Sequence, residues 1–377
     1  MTLTEQIDAN VQFANWLKQT ELKISPKDLY LVLGRAAGKT TDFAAERSQD
    51  IIHDMPGAFF AWAADTYLNA QKNVVPSLIE GWQSMGWKEG IHFVVDQRPP
   101  SNFKDPYKRV INWKHTITTW NGCHFKIVSM DRPSGGAGDS YQHIFGDETK
   151  YLEKKKIDKL IPAIRGEYPR FGHSVYYRGR TFTTDMPNIA HGEHDWILDM
   201  AKQVDPHQIE LILQAAEHLN CLRIIYFTIK EAEKAGGKFR LEDQDWPEHL
   251  ITLYIDLEKT GPIVKVLEKQ IAEWEGYWKQ IRKNSVFFYV ASSFINANIL
   301  TLDFFKDSLS SLGWHEFKTS VLSIRSNINK GDSFYPNLTP DHLFKNGIAY
   351  AHYDKFGLKD PLIENCLGLR FCDTKKP

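Results

Sequence analysis

The sequence predicts an α/β fold, a mostly parallel central sheet flanked by helices. Three observations predict it. Short apolar runs alternate with segments of helical period, as in strand–helix–strand units. The runs at 28–33 and 58–64 are apolar nearly throughout, as strands covered on both faces are. Gly34 and Gly38 directly follow the first of these runs, where a strand turns into a helix.

Taken in order, residues 5–22 place Ile7, Val11, Ala14, Trp16 and Leu17 at helical spacing, and Ser25-Pro26 breaks the chain. Strand 28–33 enters the glycine turn, and a helix runs from Thr40 to about Met55, ended by Pro56-Gly57. Strand 58–64 and helix 66–86 repeat the unit. An irregular Pro- and aromatic-rich stretch fills 90–122, with short strands at 92–95 and 115–119. Strand 124–130, the glycine-rich connection 134–139 and strand 141–145 follow, ending at Asp147-Glu148. Then come a charged helix at 153–164, a strand at 174–182 ending in Thr183-Thr184, and helices at 194–202 and 206–219. Past residue 222 the pattern thins to a long helix at 258–281, a strand at 286–291 and a helix at 301–312. The division is an N-terminal arm at 1–27, a core at 28–325 and a small lid or hinge segment at 326–377.

Composition narrows the function classes. The 377 residues carry 46 Lys and Arg against 47 Asp and Glu, a formal charge of −1. A protein that coats nucleic acid is basic over a whole face, so any such contact here is local. No run of eighteen apolar residues occurs, and the first dozen residues have no apolar stretch of a secretory signal. The four cysteines, Cys123, Cys221, Cys366 and Cys372, never form CxxC, which speaks against a zinc site and points to a reducing compartment. His191 and His194 make an H-x-x-H pair on a loop, read as ordinary surface histidines, and Trp274 and Trp278 read as a helix packing face.

The chemistry concentrates at two places. Gly34-Arg35-Ala36-Ala37-Gly38-Lys39-Thr40-Thr41 matches the end of the phosphate-binding pattern GxxxxGK[ST], although Leu33 holds the slot of its first glycine. Backbone amides around Gly38, backed by the positive end of the following helix, suit phosphates. Lys39 would bridge the outer phosphates of ATP and Thr40 would ligate Mg²⁺. Arg35 would reach the outer phosphate from the same chain. The second place is the acid pair: Asp147 would hold Mg²⁺ through water, and Glu148 would take a proton from the attacking water. A small-molecule kinase is the alternative, but no arginine cluster of a second phosphate lid is present.

These elements together resemble the ATPase domain of tailed-phage terminase large subunits, the motors that package double-stranded DNA. The resemblance covers about residues 28–330. It is carried by Gly34-Arg35-x-x-Gly38-Lys39-Thr40, by Phe60–Tyr67 with Val75–Trp82, by Ser129–Pro133, by Gly146-Asp147-Glu148 and by Thr183-Thr184-Asp185-Met186-Pro187. It implies a P-loop NTPase of the additional-strand, catalytic-glutamate type. It further implies that Glu148, Arg35 and Lys39 serve hydrolysis, that 34–41 bind nucleotide, and that Thr183 or Thr184 couples hydrolysis to movement. An arginine supplied by a neighbouring subunit is expected, with Arg132 first and Arg165 and Arg170 next. The implied partners are double-stranded DNA, a portal protein and a small terminase subunit. A homo-oligomeric ring on the procapsid is implied too, with a monomer expected in isolation, in the cytoplasm of a bacterial host and without a membrane. The family's nuclease domain would follow the 326–377 segment. No late strand carries its Asp cluster, and no nuclease activity is expected of these residues.

Overall fold

The computed structural model describes residues 14–131 and 138–325. The expected start of the first helix, Arg132 with most of the glycine-rich connection, and the 326–377 segment lie outside the described residues.

Helix α1 (Trp16–Ile24) opens on Asn15, whose side chain accepts from the Lys18 amide, and closes on Ser25 at φ 39° before Pro26. Strand β1 (Asp28–Leu33) follows with Leu29, Leu31 and Leu33 fully buried. The helix expected from Thr40 begins as a wide π-type turn, Lys39–Ala44, and continues as α2 (Ala45–Asp54). Strand β2 (Phe59–Ala64) leads through a turn at Tyr67–Asn69 and a second π-type turn at Ala70–Val74 into α3 (Val75–Ser84). Strands β3 (Phe93–Val95), β4 (Thr116–Thr119) and β5 (His124–Ser129) come next. Strand β6 (His143–Gly146) ends at the acid pair, α4 (Lys154–Leu160) follows, and β7 (Gly179–Thr184) ends in the two threonines.

The eight strands lie in the order β3-β4-β5-β2-β6-β7-β1-β8, with β8 at Val286–Ala291. Every pairing from β5 to β8 is parallel, and only β3–β4 and β4–β5 are antiparallel. One strand, β7, therefore stands between β1 and β6. One face of the sheet is covered by α2 and α3, around Phe60, Trp62, Trp82 and Phe125; the other buries Tyr30, Ile144, Leu152 and Phe182.

Several expected bounds shift. Strand 174–182 begins only at Gly179, because Ser174–Arg178 is turn and Arg178 sits at φ 60°. The 194–202 helix is a 3-10 stretch, Trp196–Gln203. The helix from 206 runs on as α5 (Pro206–Lys234), because Leu222, Ile225 and Ile229 pack on α6 (Glu248–Glu258) and α7 (Ile263–Ile281). The single helix expected over 258–281 is split at Gly261-Pro262, where Pro262 has no amide to donate. The last helix, α8 (Leu302–Ser320), extends past Leu312 with a kink at Gly313, φ 72°. Trp274 and Trp278 pack as read: Trp274 against the His218 ring at 4.2 Å, Trp278 under Arg282 with its indole N–H on the Lys23 carbonyl.

Candidate active site

Parallel strands gather their carboxyl ends at one edge. Here β1 delivers Gly34–Thr41 to that edge, β6 delivers Asp147 and Glu148, and β7 delivers Thr183 and Thr184 from between them.

The loop after β1 is fixed on its outer side by the segment after β8. The Gly34 amide donates to the Ala291 carbonyl at 2.9 Å and the Arg35 amide to that of Ser320 at 2.7 Å. The Ser293 hydroxyl donates to the Arg35 carbonyl at 2.6 Å, and the Asn296 side-chain amide to that of Ala36 at 3.2 Å. A Cβ at Gly34 would lie 2.4 Å from both Ser293 Oγ and the Val321 carbonyl oxygen, so only glycine fits. The chain then turns through Ala36 at φ 58° and Gly38 at φ 76°. Within the described residues no acceptor takes the amides of Gly38, Lys39 or Thr40, which open the wide turn. Lys39 Nζ rests 3.5 Å from the Leu33 carbonyl.

Two threonines converge on Asp147. The Thr40 hydroxyl donates to its Oδ2 and the Thr183 hydroxyl to its Oδ1 at 2.7 Å, and the Glu148 amide also donates to Oδ1, at 2.8 Å. Thr184 is occupied otherwise, accepting from the Lys150 amide at 3.2 Å. Asp147 is buried, and Glu148 holds the left-handed conformation at φ 49°. Burial pushes the Glu148 carboxyl up to about 7; the negative charges of Asp147 and Asp185 add to this, and the Lys39 ammonium opposes it. Gly146 is needed just before them, since a Cβ there would meet the Phe182 ring at 2.5 Å.

The structure thus brings together Lys39, Thr40, Asp147, Glu148 and Thr183. Arg35 stands apart from them: its half-exposed guanidinium is 3.3 Å from Glu316 on α8. Arg165 and Arg170 are exposed and lie by the amino ends of the strands, Arg165 directly after Ile164, which bridges Tyr141 ahead of β6. Sequence reasoning missed a buried ion cluster beside the acids, Lys150 with Asp185 and Glu193. Its only signal was Asp185 directly following Thr183-Thr184. Ser293, Asn296 and Glu316, which hold the loop, carried none. Among the described residues no cluster of metal-ligating side chains stands ready-made, and no helix is long and apolar enough to cross a membrane.

No family model matches the chain, and no curated protein does. Among solved structures, the fold is similar to DNA-packaging proteins of phages. One is the large terminase ATPase domain of Thermus phage P74-26, at 12% identity over 84% of this chain and 96% of that one, with a TM-score of 0.41. Another is the large terminase of a thermophilic bacteriophage in complex with ADP, at 14% identity over 46% of this chain and 38% of that one, TM-score 0.32. A third is the Phi-28 DNA packaging motor, at 12% identity over 72% of this chain and 68% of that one, TM-score 0.30.

Proposed function

We propose that this chain is an ATPase of the additional-strand, catalytic-glutamate type of P-loop NTPase, and that it drives double-stranded DNA into a phage procapsid. The observation that carries the ATPase reading is the meeting of Thr40 and Thr183 on Asp147, brought from the loop after β1 and the end of β7, both far from it in sequence. The strand standing between β1 and β6 supports the additional-strand type.

The residues fit ATP and magnesium. The amides of Gly38, Lys39 and Thr40 open a helical segment with no acceptor among the described residues, and the Lys39 ammonium adds a full positive charge to them. Thr40 Oγ1 and Asp147 Oδ2 meet in a direct hydrogen bond; Thr40 would ligate the magnesium ion and Asp147 would hold it through water. Bound there, the ion would neutralise charge on the phosphates. Thr183 orients Asp147 from the other side. Glu148 accepts a proton from the attacking water at a carboxylate whose raised affinity for protons suits a base near neutral pH. Arg35 would have to leave Glu316 to reach a phosphate, and the trans arginine is assigned to Arg132, with Arg165 and Arg170 behind it. The DNA, portal and small-subunit partners, the ring, and work inside a bacterial host rest on the sequence motifs from Gly34 to Pro187.

The test is steady-state ATP hydrolysis with and without double-stranded DNA, on the wild type and on Glu148→Gln, at concentrations that favour assembly. DNA-stimulated turnover in the wild type, abolished in Glu148→Gln with nucleotide binding retained, is expected. Equal and negligible rates in both, with and without DNA, would overturn the reading.

A further inference from the structure

Lys150 lies outside the arrangement described so far, yet it ties three segments together. It sits on a single 3-10 turn, Thr149–Tyr151, directly after the acid pair. Its amide donates to Thr184 Oγ1 at 3.2 Å, and its carbonyl accepts the His194 amide at 2.7 Å. Its ammonium is 3.0 Å from Asp185 Oδ1 and 3.0 Å from Glu193 Oε1, with all three side chains at least nine-tenths buried. The other Glu193 oxygen accepts the Asn188 amide at 2.7 Å. One residue thereby joins the end of β6, the end of β7 and the 188–194 segment.

The charge balance is what sets this apart from a structural bridge. Buried ions need partners, and one ammonium between two carboxylates leaves a negative charge uncompensated. The missing compensation points toward the site. Burial alone would raise the Asp185 carboxyl, but the Lys39 ammonium, with that of Lys150, holds it below its ordinary value. Asp185 is in turn one of the charges that act on Glu148. Asp185 Oδ1 is buried, and the Lys150 ammonium 3.0 Å away is its charge partner. Asp185 is therefore held by charge, between the lysine after β6 and the lysine of the phosphate loop.

We propose that Lys150 is a positioning residue for hydrolysis: by clamping Asp185 and Glu193 on one ammonium, it sets where the carboxyl ends of β6 and β7 stand. It thereby sets the places of Glu148 and Thr183 relative to Lys39. The proposal rests on the hydrolytic reading above. Lys150 itself acts through Asp185 and the two strand ends.

The experiment measures ATP hydrolysis and ADP affinity for the full chain and for Lys150→Met, Lys150→Arg and Asp185→Asn. Each is assayed below its own unfolding transition, checked by circular dichroism. A misplacement at the reacting groups acts on turnover, so Lys150→Met should lower kcat by at least about tenfold. KM and ADP affinity should stay within about threefold, because Lys39 and Thr40 are untouched. Lys150→Arg, whose guanidinium can span both carboxylates, should recover most of the turnover. Asp185→Asn keeps the shape, removes one charge and should lower kcat in the same sense. A folded Lys150→Met with wild-type kcat would overturn the proposal, and so would a loss of kcat matched by an equal loss of ADP affinity. If Lys150→Met does not fold, Asp185→Asn decides on the same criteria. A wild type that hydrolyses nothing would overturn the hydrolytic reading and this inference with it, whereas an active wild type with an indifferent Lys150→Met removes the inference alone.

Discussion

Replacing Gly34 by alanine tests whether the phosphate loop is seated by the segment after β8. The added Cβ would stand 2.4 Å from Ser293 Oγ, 2.4 Å from the Val321 carbonyl oxygen and 2.6 Å from the Ser293 amide nitrogen. Two of these three atoms are backbone, so the contact cannot be relieved by a side chain turning away. Overpacking of this kind costs about 1–3 kcal/mol. For a domain of this size that corresponds to a fall in Tm of roughly 1.5–4.5 °C. Relief requires the loop to move off the Ala291 and Ser320 carbonyls, which also displaces Lys39, so nucleotide affinity should fall with stability. Gly276 on α7 supplies the control, because a Cβ there meets nothing within 4 Å. Gly276→Ala should raise stability by about 0.5–1 kcal/mol, through helix propensity and reduced freedom of the unfolded chain. Thermal unfolding of the two variants, followed by circular dichroism, and ADP titration supply the readings. A Gly34→Ala protein as stable as the wild type, or one whose Tm moves in the same direction as that of Gly276→Ala, would refute the reasoning.

Thr183→Val removes a hydroxyl that donates to a buried carboxylate and should cost about 1.5–3 kcal/mol, visible in urea unfolding; Thr184→Val, which leaves Asp147 untouched, should not change the magnesium dependence of nucleotide binding while Thr183→Val does. His124 is buried, which by itself lowers its affinity for protons, and Lys126 nearby adds to this, bringing its pKa from 6.5 down to about 4. Its unfolded form binds the proton first, so the stability it contributes is complete above about pH 6.5 and is lost as pH falls toward 4, by about 3 kcal/mol in all. His124→Gln should flatten that part of a stability-against-pH curve, and an unchanged slope would show that the ring is not held neutral. Arg35→Ala removes a half-exposed pair with Glu316 and should change Tm by less than the equivalent of about 1 kcal/mol, so any large loss of hydrolysis in that variant is functional in origin.

The parts of the fold that could be read in the sequence are those whose burial is written locally. Strands β1 and β2 are runs of residues covered on both faces, and β8 is a β-branched and aromatic run, so each shows as a nearly continuous apolar segment. Helix α5 was only half legible. Its outer face exposes Ile224 and Phe227, which blurs the apolar stripe over the very turns that Ile225 and Ile229 bury against α6 and α7. Strand β7 was placed too early because Val175 and Tyr176 are buried in a turn and look like strand residues.

The sequence by itself determined which residues sit at the ends of β1, β6 and β7, and with them the candidate chemistry. Lys39 and Thr40 follow the first apolar run through one short glycine-containing loop, Asp147 and Glu148 come directly after β6, and Thr183 and Thr184 end β7; closeness along the chain is what a sequence records. Only the tertiary structure decided their partners. It chose Thr183 over Thr184 as the hydroxyl on Asp147, because successive side chains at a strand end point to opposite sides. It set Arg35 on Glu316, and it closed Lys150 between Asp185 and Glu193. Those choices depend on the strand order and on which buried charge lies nearest another, and neither leaves a mark on neighbouring residues.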